Sequence, residues 1–427
     1  MSLRDRIAAR PRYKWYVLGV LTSVYASSHV DRQIMGILLE PIKLELDASD
    51  TQMGFLIGLT FAIFYATLGM PIAMIADRKS RRNIIAIATT VWSVMTVLCG
   101  AAQTFLQLAL ARIGVGSGEA GSSPPSHSVI ADLFEPGSRG TAMGVFALGV
   151  NFGLLIAYLV GGWMSEHFGW RMTFVAVGLP GLAIAALVYF TTQEPRRGAS
   201  EEAYRSGDEP APPFSGVARH MWRVKSVRHL VAGSSVAGFV GYGFVLWMPS
   251  FLMRSHGLSP TDVGLTLALM IGIVGGLGTF TAGKLVDVLA RRDVRWRCWL
   301  VAAAKGGYVP FLALVFLVDD FRLFLLLYTI PAFFGGFYLA PTFALVQSLV
   351  EVRMRALAAS ITLFVLNIIG LGFGPQLVGI LSDFFAADYG QESLRMALLL
   401  LTFLNLWAAL HYFLAARTLE TDLEQLT

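Results

Sequence analysis

The stretches AMIADRKSRR, residues 73–82, and GKLVDVLARR, residues 283–292, share one pattern of acidic and basic residues and lie 210 positions apart. Each stretch follows a long apolar run. A second set of landmarks repeats as well, because Pro125, Arg139 and Asn151 recur at identical spacing as Pro341, Arg355 and Asn367. Such internal repetition predicts a duplicated chain with two similar halves.

The composition is that of a membrane protein. Hydrophobic residues make up 55% of the 427 residues and charged residues only 14%, against roughly 25% charged in soluble domains. The two cysteines, Cys99 and Cys298, lie in different halves, so no disulfide framework is predicted. The basic start MSLRDRIAARPRYKW precedes an apolar run without a small-residue cleavage site, which predicts a retained first span.

Runs of about twenty mainly apolar residues, enough to cross a ~30 Å hydrocarbon core, predict an all-α membrane protein of twelve transmembrane helices. The predicted spans are Lys14–Leu39, Thr51–Ala76, Ile84–Ala102, Phe105–Leu133, Gly140–Ser165, Trp170–Thr191, Leu230–Leu252, Asp262–Leu285, Trp299–Leu317, Phe321–Leu349, Ala356–Phe384 and Leu394–Ala415. We expect two six-helix bundles related by a pseudo-two-fold axis, over residues 1–192 and 230–427. The polar, proline-rich residues 193–229 predict a linker that ends in a short amphipathic stretch, MWRVKSVRH.

The distribution of lysines and arginines predicts the orientation of the chain. The termini and the even-numbered loops hold 24 of the 33 basic residues, and the odd-numbered loops hold five. Because cytoplasmic loops carry the excess of positive charge, both termini and the linker are predicted to be cytoplasmic. This pattern also explains the formal charge of +5 without nucleic acid. The compact loops and short termini suit a bacterial inner membrane. We also expect a monomer, with membrane lipids as its surroundings.

Away from the span ends, the predicted spans of the first half hold four charged residues: Asp31, Arg32, Arg112 and Glu119. An ionised group in the bilayer core costs at least ~2.5 to 3.5 kcal/mol, so it needs a partner, a wet cavity or a function. Arg112 and Glu119 are seven residues apart and therefore share one helical face. We predict that Asp31 and Glu119 take up a coupling proton and that Arg32 and Arg112 pair with them or with a substrate headgroup. The alternative is that the four charges are structural ion pairs.

The repeated motif predicts a cytoplasmic gate. Its candidate residues are Asp77, Arg81, Arg82, Asp287 and Arg291. The alternative interpretation is that these arginines are ordinary anchors at lipid phosphates. That interpretation does not explain an aspartate at the same offset in both halves, so we favour a latch that holds when the cytoplasmic side is closed.

In the second half, aromatic and polar residues are candidates for the lining of a substrate cavity. They are Tyr242, Phe244, Trp247, Phe337 and Asn367.

Lys305 is a charge inside a predicted span, and we expect its side chain to extend to the cytoplasmic side. No metal-ligand spacing, phosphate loop or nucleophilic arrangement is visible in the sequence, so we expect no enzyme, no metal and no cofactor, with the proton as the coupling ion.

The arrangement of spans and the repeated motif resemble the major facilitator superfamily, whose members contain such repeats. The usual first and middle glycines of the motif are Ala73 and Ser80 in the first copy, while the second copy keeps Gly283. VDRQIMGILLEPIKLEL on span one and ARIGVGSGEAGSSPPSHSVIADLF on span four are similar to the spinster family of lipid transporters. The likeness covers mainly the first half of the chain.

The resemblance implies a proton-linked carrier of amphipathic lipids, of the sphingosine phosphate or lysophospholipid type, that works by alternating access. It implies roles for Asp31 and Arg32 from the first motif and for Arg112 and Glu119 from the second. A proton-linked transporter of small organic anions or drugs on the same fold stays open as the alternative. Drug antiporters usually carry glycine-proline on span five, but here Leu154 follows Gly153, which favours other substrates.

Overall fold

The computed structural model describes residues 12–76, 78–197 and 213–425, without the side chains of residues 136, 352 and 356. Regular structure in these ranges is entirely helical. The first half contains α1 (Tyr13–Leu46), α2 (Asp50–Ile57), α3 (Leu59–Ala76), α4 (Arg81–Ala101), α5 (Phe105–Glu119), α6 (Ser123–Leu133) and α7 (Pro136–Thr191).

The second half begins with α8 (Phe214–Arg223) and α9 (Lys225–His256). The helices α10 (Pro260–Leu267), α11 (Gly275–Ala290), α12 (Trp296–Gly307), α13 (Val309–Val315), α14 (Phe321–Phe334), α15 (Leu339–Ser348), α16 (Arg355–Leu366), α17 (Gly374–Tyr389), α18 (Ser393–Thr402) and α19 (Leu404–Glu424) follow. π-helical segments join α10 to α11 (Ala268–Val274) and α16 to α17 (Asn367–Phe373), and short 3₁₀ turns lie at Val352–Met354 and Gly390–Glu392.

Each of the twelve predicted spans falls on one helix or on a run of consecutive helices, with spans five and six both in α7, so the prediction of the fold class is confirmed. Eight stretches of the described residues are long and apolar enough to cross a membrane. Two of them, Gly137–Thr191 and Leu357–Glu424, have 55 and 68 residues and each hold two predicted spans, because one crossing needs only about 20 residues. The first and fourth spans are not among the eight, and these are the two that carry the four buried charges.

Glycines with positive φ mark the ends of the crossings inside the long stretches. Gly169 has φ 77° and ψ 166°, a conformation that side chains with a Cβ rarely adopt, and it separates spans five and six within α7. Gly390, at φ 54°, ends α17 before the last span. At the start of α2, Ser49 and Gln52 form a capping box.

The described residues group into two compact units. The first holds the described parts of Met1–Ala48, Thr60–Asp208 and Ser259–Leu265. The second holds those of Ser49–Leu59, Glu209–Leu258 and Thr266–Thr427. The segment Ser49–Leu59 belongs to the second unit because α2 packs closely on α17; a Cβ at Gly54 would lie 2.8 Å from the carbonyl oxygen of Pro375.

Candidate transport site

The four charges predicted from the sequence lie together inside the first unit. α1 carries Asp31 and Arg32, and α5 carries Arg112 and Glu119. The residues Asp31, Arg112 and Glu119 are 1%, 2% and 0% exposed. Charged side chains at such burial require partners or a ligand, so this cluster is the candidate site.

Arg32 and Glu119 form the ion pair of the cluster. Nε of Arg32 donates a 2.6 Å hydrogen bond to Oε2 of Glu119. The guanidinium of Arg32 also lies over two aromatic rings of α3, with its Cζ 4.4 Å from the Tyr65 centroid and 5.0 Å from that of Phe61. The aromatic faces and the carboxylate together stabilise a cation whose side chain is only 14% exposed.

The contact between Arg112 and Asp31 is not the ion pair that the sequence predicted. Nη1 of Arg112 donates to the backbone oxygen of Asp31 at 3.3 Å, and its Cζ lies 5.5 Å from the Phe61 ring. The two side chains form no ion pair among the described residues, so the expectation that both acids pair with arginines holds for Glu119 only. The carboxylate of Asp31 is instead surrounded by the charges of Glu119, Arg112 and Arg32, with Thr96 beside it.

Several polar atoms of this cluster are buried without a geometrically good hydrogen bond to described residues. They are both carboxylate oxygens of Asp31, one Nη of Arg32, Nε of Arg112 and Oε1 of Glu119. Donors and acceptors are thus both left over in one confined place, and the formal charges of the four side chains sum to zero. Such an arrangement can take an anion on the guanidiniums and protons on the carboxylates.

Sequence analysis missed Phe61 and Tyr65. The two rings are stacked with centroids 5.4 Å apart. Their spacing of four residues on a predicted span is the signal that could have found them, because it places both rings on the same helical face. What it could not show is that this face contacts Arg32.

The first copy of the predicted gate is a buried ion network at the start of α4. Arg81 is 1% exposed and pairs with Asp132 and with Glu194, whose Oε1 accepts from its Nε at 2.7 Å. Ser128 Oγ and the carbonyl oxygen of Pro195 accept further hydrogen bonds from Arg81. Arg81 therefore contacts acids of the protein rather than lipid phosphates.

Glu194 is bound from three sides. Its carboxylate accepts from Ser80 Oγ at 2.8 Å and from the backbone N–H of Arg82 at 2.9 Å, besides Arg81. Burial raises the pKa of Glu194, but the hydrogen bonds from Arg82, Arg81 and Ser80 outweigh it and hold the pKa below its usual value. The side chain of Arg82 lies over the ring of Tyr189. Glu194 and Asp132 were not among the predicted gate residues.

The second copy of the motif differs from the first. Asp287 and Arg291 are exposed on and just after α11, and neither forms an ion pair with a described residue. Asp77 of the first copy lies outside the described residues.

The repeated arginines Arg139 and Arg355 make matching contacts in the two halves. Arg139 donates to the carbonyl oxygen of Ala131 and Arg355 to that of Gln347, both at 3.0 Å. Both contacts reach back eight residues, as a duplication predicts.

The predicted lining residues of the second unit occupy varied positions. Trp247 is fully buried and donates from Nε1 to the Pro375 oxygen at 2.9 Å. Phe244 stacks on Phe316 with centroids 5.5 Å apart. Phe337 is buried in an aromatic cluster of α14, Tyr242 is half-buried, and Asn367 opens the second π-helical segment.

The position of Lys305 contradicts the expectation that its side chain extends to the cytoplasmic side. Its side chain is 2% exposed and does not reach a surface; Nζ donates to the Gly335 oxygen at 3.0 Å and to the Tyr308 hydroxyl at 3.2 Å. The ammonium lies 4.6 Å from the Tyr338 ring centroid. These contacts satisfy the ammonium locally, so it has no need to extend out of the helix bundle.

A further ion pair of the second unit escaped sequence analysis. Arg254, near the end of α9, binds the carboxylate of Asp50 on α2 with both Nη atoms. Ser382 also donates to Asp50 at 2.6 Å, while Asp383 accepts from the backbone N–H groups of Asp50 and Thr51. Hydropathy placed these residues at span ends, where isolated charges are unremarkable.

Comparison with known proteins identifies the family. The family model described as Major Facilitator Superfamily matches residues 21–375. The chain is 35% identical over 414 residues to the "MFS-type efflux pump" of Mycolicibacterium smegmatis, covering 97% of this chain and 95% of that one. It is 27% identical over 399 residues to "Protein spinster homolog 1" of Xenopus laevis, covering 87% and 74%.

A solved structure agrees with the sequence comparisons. The crystal structure of a bacterial homolog of the human lysosomal transporter spinster, in an inward-facing and unoccupied conformation, matches with a TM-score of 0.90 and 31% identity, over 97% of this chain and 99% of that one. Proteins of this kind are carriers and not enzymes. The chain belongs to the major facilitator superfamily and is a spinster-like transmembrane transporter.

Proposed function

We propose that this protein is a proton-coupled secondary transporter of amphipathic, lipid-like substrates with an anionic headgroup, such as lysophospholipids. The observation that carries the proposal is the cluster of Arg32, Glu119, Arg112 and Asp31, in which Glu119 is ion-paired and Asp31 forms no ion pair with a described residue. A purely structural set of charges would be expected to leave no carboxylate unpaired, because an unpaired buried charge is costly.

The guanidiniums are the proposed headgroup site. Arg32 and Arg112 keep their charge under all physiological conditions and bind phosphate or carboxylate with several donors at once. Each still has one buried donor nitrogen without a hydrogen bond to described residues. The rings of Phe61 and Tyr65 beside Arg32 offer an apolar surface to the first part of a hydrocarbon tail.

The carboxylates are the proposed proton sites. A proton on Glu119 removes the negative charge that holds Arg32, so the guanidinium becomes free to bind an anionic headgroup. Asp31, whose carboxylate lacks an ion-pair partner among the described residues, is the second proton site. Substrate and protons then bind in dependence on each other, and each can bias the equilibrium between the states of an alternating-access cycle.

Flux into proteoliposomes tests the coupling. Purified protein is reconstituted, and uptake of a radiolabelled lysophospholipid is followed with and without an imposed pH gradient. The gradient is expected to stimulate uptake by the wild-type protein and to have no effect on Glu119→Gln. Glu135→Gln is the matched control, because Glu135 is exposed and its side chain makes no capping hydrogen bond. Unchanged stimulation in Glu119→Gln would contradict the proton role.

Transport of small organic anions or drugs is the second candidate. The likeness to the Mycolicibacterium smegmatis protein named an efflux pump supports it, as does 26% identity over 400 residues to the "Probable L-galactonate transporter" of Escherichia coli, covering 91% of this chain and 86% of that one. Competition separates the candidates. Unlabelled lysophospholipid should displace the labelled substrate, whereas L-galactonate should not; the reverse result would favour a sugar-acid carrier.

A further inference from the structure

A long apolar groove lies in the second unit. Its volume is about 700 Å³, within the range of about 300–1,000 Å³ that is usual for ligand sites. α9 forms its floor, and α16, the π-helical segment Asn367–Phe373, α17 and α19 form its walls. The short helix α8 closes one end.

The groove is lined almost entirely by hydrocarbon. Val231, Val236 and Phe239 lie along the floor, and Ile369 and Trp407 belong to the walls, with 38% and 54% of their surfaces exposed. From Arg228 to Phe239, eleven helical steps along α9, the floor extends about 16 Å at 1.5 Å per residue. This length matches one leaflet of a hydrocarbon core of about 30 Å.

Polar groups gather at the end near α8. Arg228 is exposed, lies with its guanidinium carbon 5.9 Å from the Trp222 ring centroid, and forms no ion pair with any described residue. Beside it, His229 and His411 share a hydrogen bond between their Nδ1 atoms at 3.0 Å. The groove therefore has a cationic end and an apolar body.

α8 has the character of a helix that lies at a membrane surface. Val217 and Met221, four residues apart, are buried in the core of the second unit. Phe214 and Trp222 are 51% and 73% exposed, and the basic residues Arg219 and Arg223 are exposed with them. Tryptophan and arginine concentrate where hydrocarbon meets headgroups. The cationic end of the groove thus lies at headgroup level.

We propose that this groove binds one phospholipid with an anionic headgroup, taken from the leaflet that α8 contacts. One acyl chain fills the groove along α9, and the phosphate is held by Arg228 beside Trp222. The match of charge, length and apolar lining supports a lipid as the occupant. Because Ile369 of the wall belongs to a π-helical segment, a bound chain packs directly against an irregular part of a membrane span. The inference does not depend on which substrate is transported.

Native mass spectrometry of the purified full chain with phosphatidylglycerol or phosphatidylcholine tests the headgroup. The wild-type protein is expected to retain phosphatidylglycerol preferentially. Arg228→Gln should weaken that binding about fivefold, since one basic residue near an anionic headgroup contributes about 1 kcal/mol. Arg417→Gln is the matched control, an exposed arginine of α19 outside the groove, and should bind as the wild type. Equal retention of both lipids by the wild-type protein and by Arg228→Gln would overturn the proposal.

A second variant tests the body of the groove. Ala232→Trp places an indole where the acyl chain should lie and is expected to abolish retention of phosphatidylglycerol, whereas Leu410→Trp, on the exposed face of α19, should leave it unchanged. A phosphatidylglycerol with a photoreactive acyl chain should label peptides of α9 and α19 in the wild-type protein. Labelling spread evenly over all spans would count against a defined groove, even if Ala232→Trp failed to fold.

Discussion

Arg254 holds the carboxylate of Asp50 through two parallel hydrogen bonds of 2.7 and 2.8 Å. Both side chains are largely buried, with exposed fractions of 11% and 3%. A bidentate pair in such surroundings is geometrically specific, and the loss of one partner leaves the other charge stranded.

The first prediction concerns the ion pair between Arg254 and Asp50. Arg254→Ala should destabilise the protein by about 3 kcal/mol, mostly because the buried carboxylate of Asp50 loses the guanidinium that offsets its charge. Adding Asp50→Asn to Arg254→Ala should restore part of the loss, since the amide carries no charge. Thermal unfolding in detergent measures both variants. If the double variant were less stable than Arg254→Ala, the stability would come from packing rather than from charge pairing.

The second prediction concerns the shape of the Arg32 side chain. Arg32→Lys keeps the positive charge but loses the planar group that lies over Tyr65 and Phe61 while binding Glu119. We expect lysophospholipid uptake to fall about tenfold or more, because lysine does not reproduce stacked and directional contacts. Arg417→Lys should transport normally. Full activity of Arg32→Lys would mean that transport needs only a positive charge at this position.

The third prediction is a pH dependence of stability at Glu194. Its pKa in the folded protein lies below the usual value, so the ionised carboxylate stabilises the fold at pH above the unfolded-state pKa. This contribution is lost as the pH falls through the folded-state pKa. Glu194→Gln should therefore lower the unfolding temperature at neutral pH and have a smaller effect in acid. Glu135→Gln serves as the control, and an equal effect of Glu194→Gln at both pH values would contradict the linkage.

The fourth prediction concerns the buried ammonium of Lys305. Burial of a charge without an acid partner is costly, and methionine has a similar length and no charge. Lys305→Met should therefore be as stable as the wild type or more stable by about 1 kcal/mol, a magnitude typical of such replacements. Lys284→Met, at an exposed lysine over Phe280, is the control. A strong loss of stability would mean that the contacts with Gly335 and Tyr308 exceed the cost of burial.

Hydropathy and internal repetition were sufficient for the fold, because a bilayer forces long apolar helices and a duplication repeats its landmarks. They also found the four buried charges, since such residues are rare within spans. The pairing of these charges could not be predicted, because the spacing does not show that Glu119 binds Arg32 while Asp31 forms no ion pair in the part of the chain that the structure describes. That choice depends on how α1, α3 and α5 pack, and on the rings of Phe61 and Tyr65.

The same limit applies to Arg81 and Lys305. Arg81 appeared as an anchor or latch because its acids, Asp132 and Glu194, lie in other segments of the chain and reach it only after folding. Lys305 appeared able to reach the surface because sequence gives a side chain's length but not the direction in which its helix face points. In both cases long-range packing set the contacts of the side chain, which the local sequence does not specify.

The matching contacts of Arg139 with Ala131 and of Arg355 with Gln347 have a practical consequence. Each half of the molecule supplies an internal standard for the other, since the same arginine anchors the same kind of carbonyl at the same chain offset. Substituting one arginine at a time would measure how much each of these two duplicated contacts contributes to stability, and so how far the two copies have diverged. The comparison is made within one polypeptide, where lipid, detergent and temperature are shared.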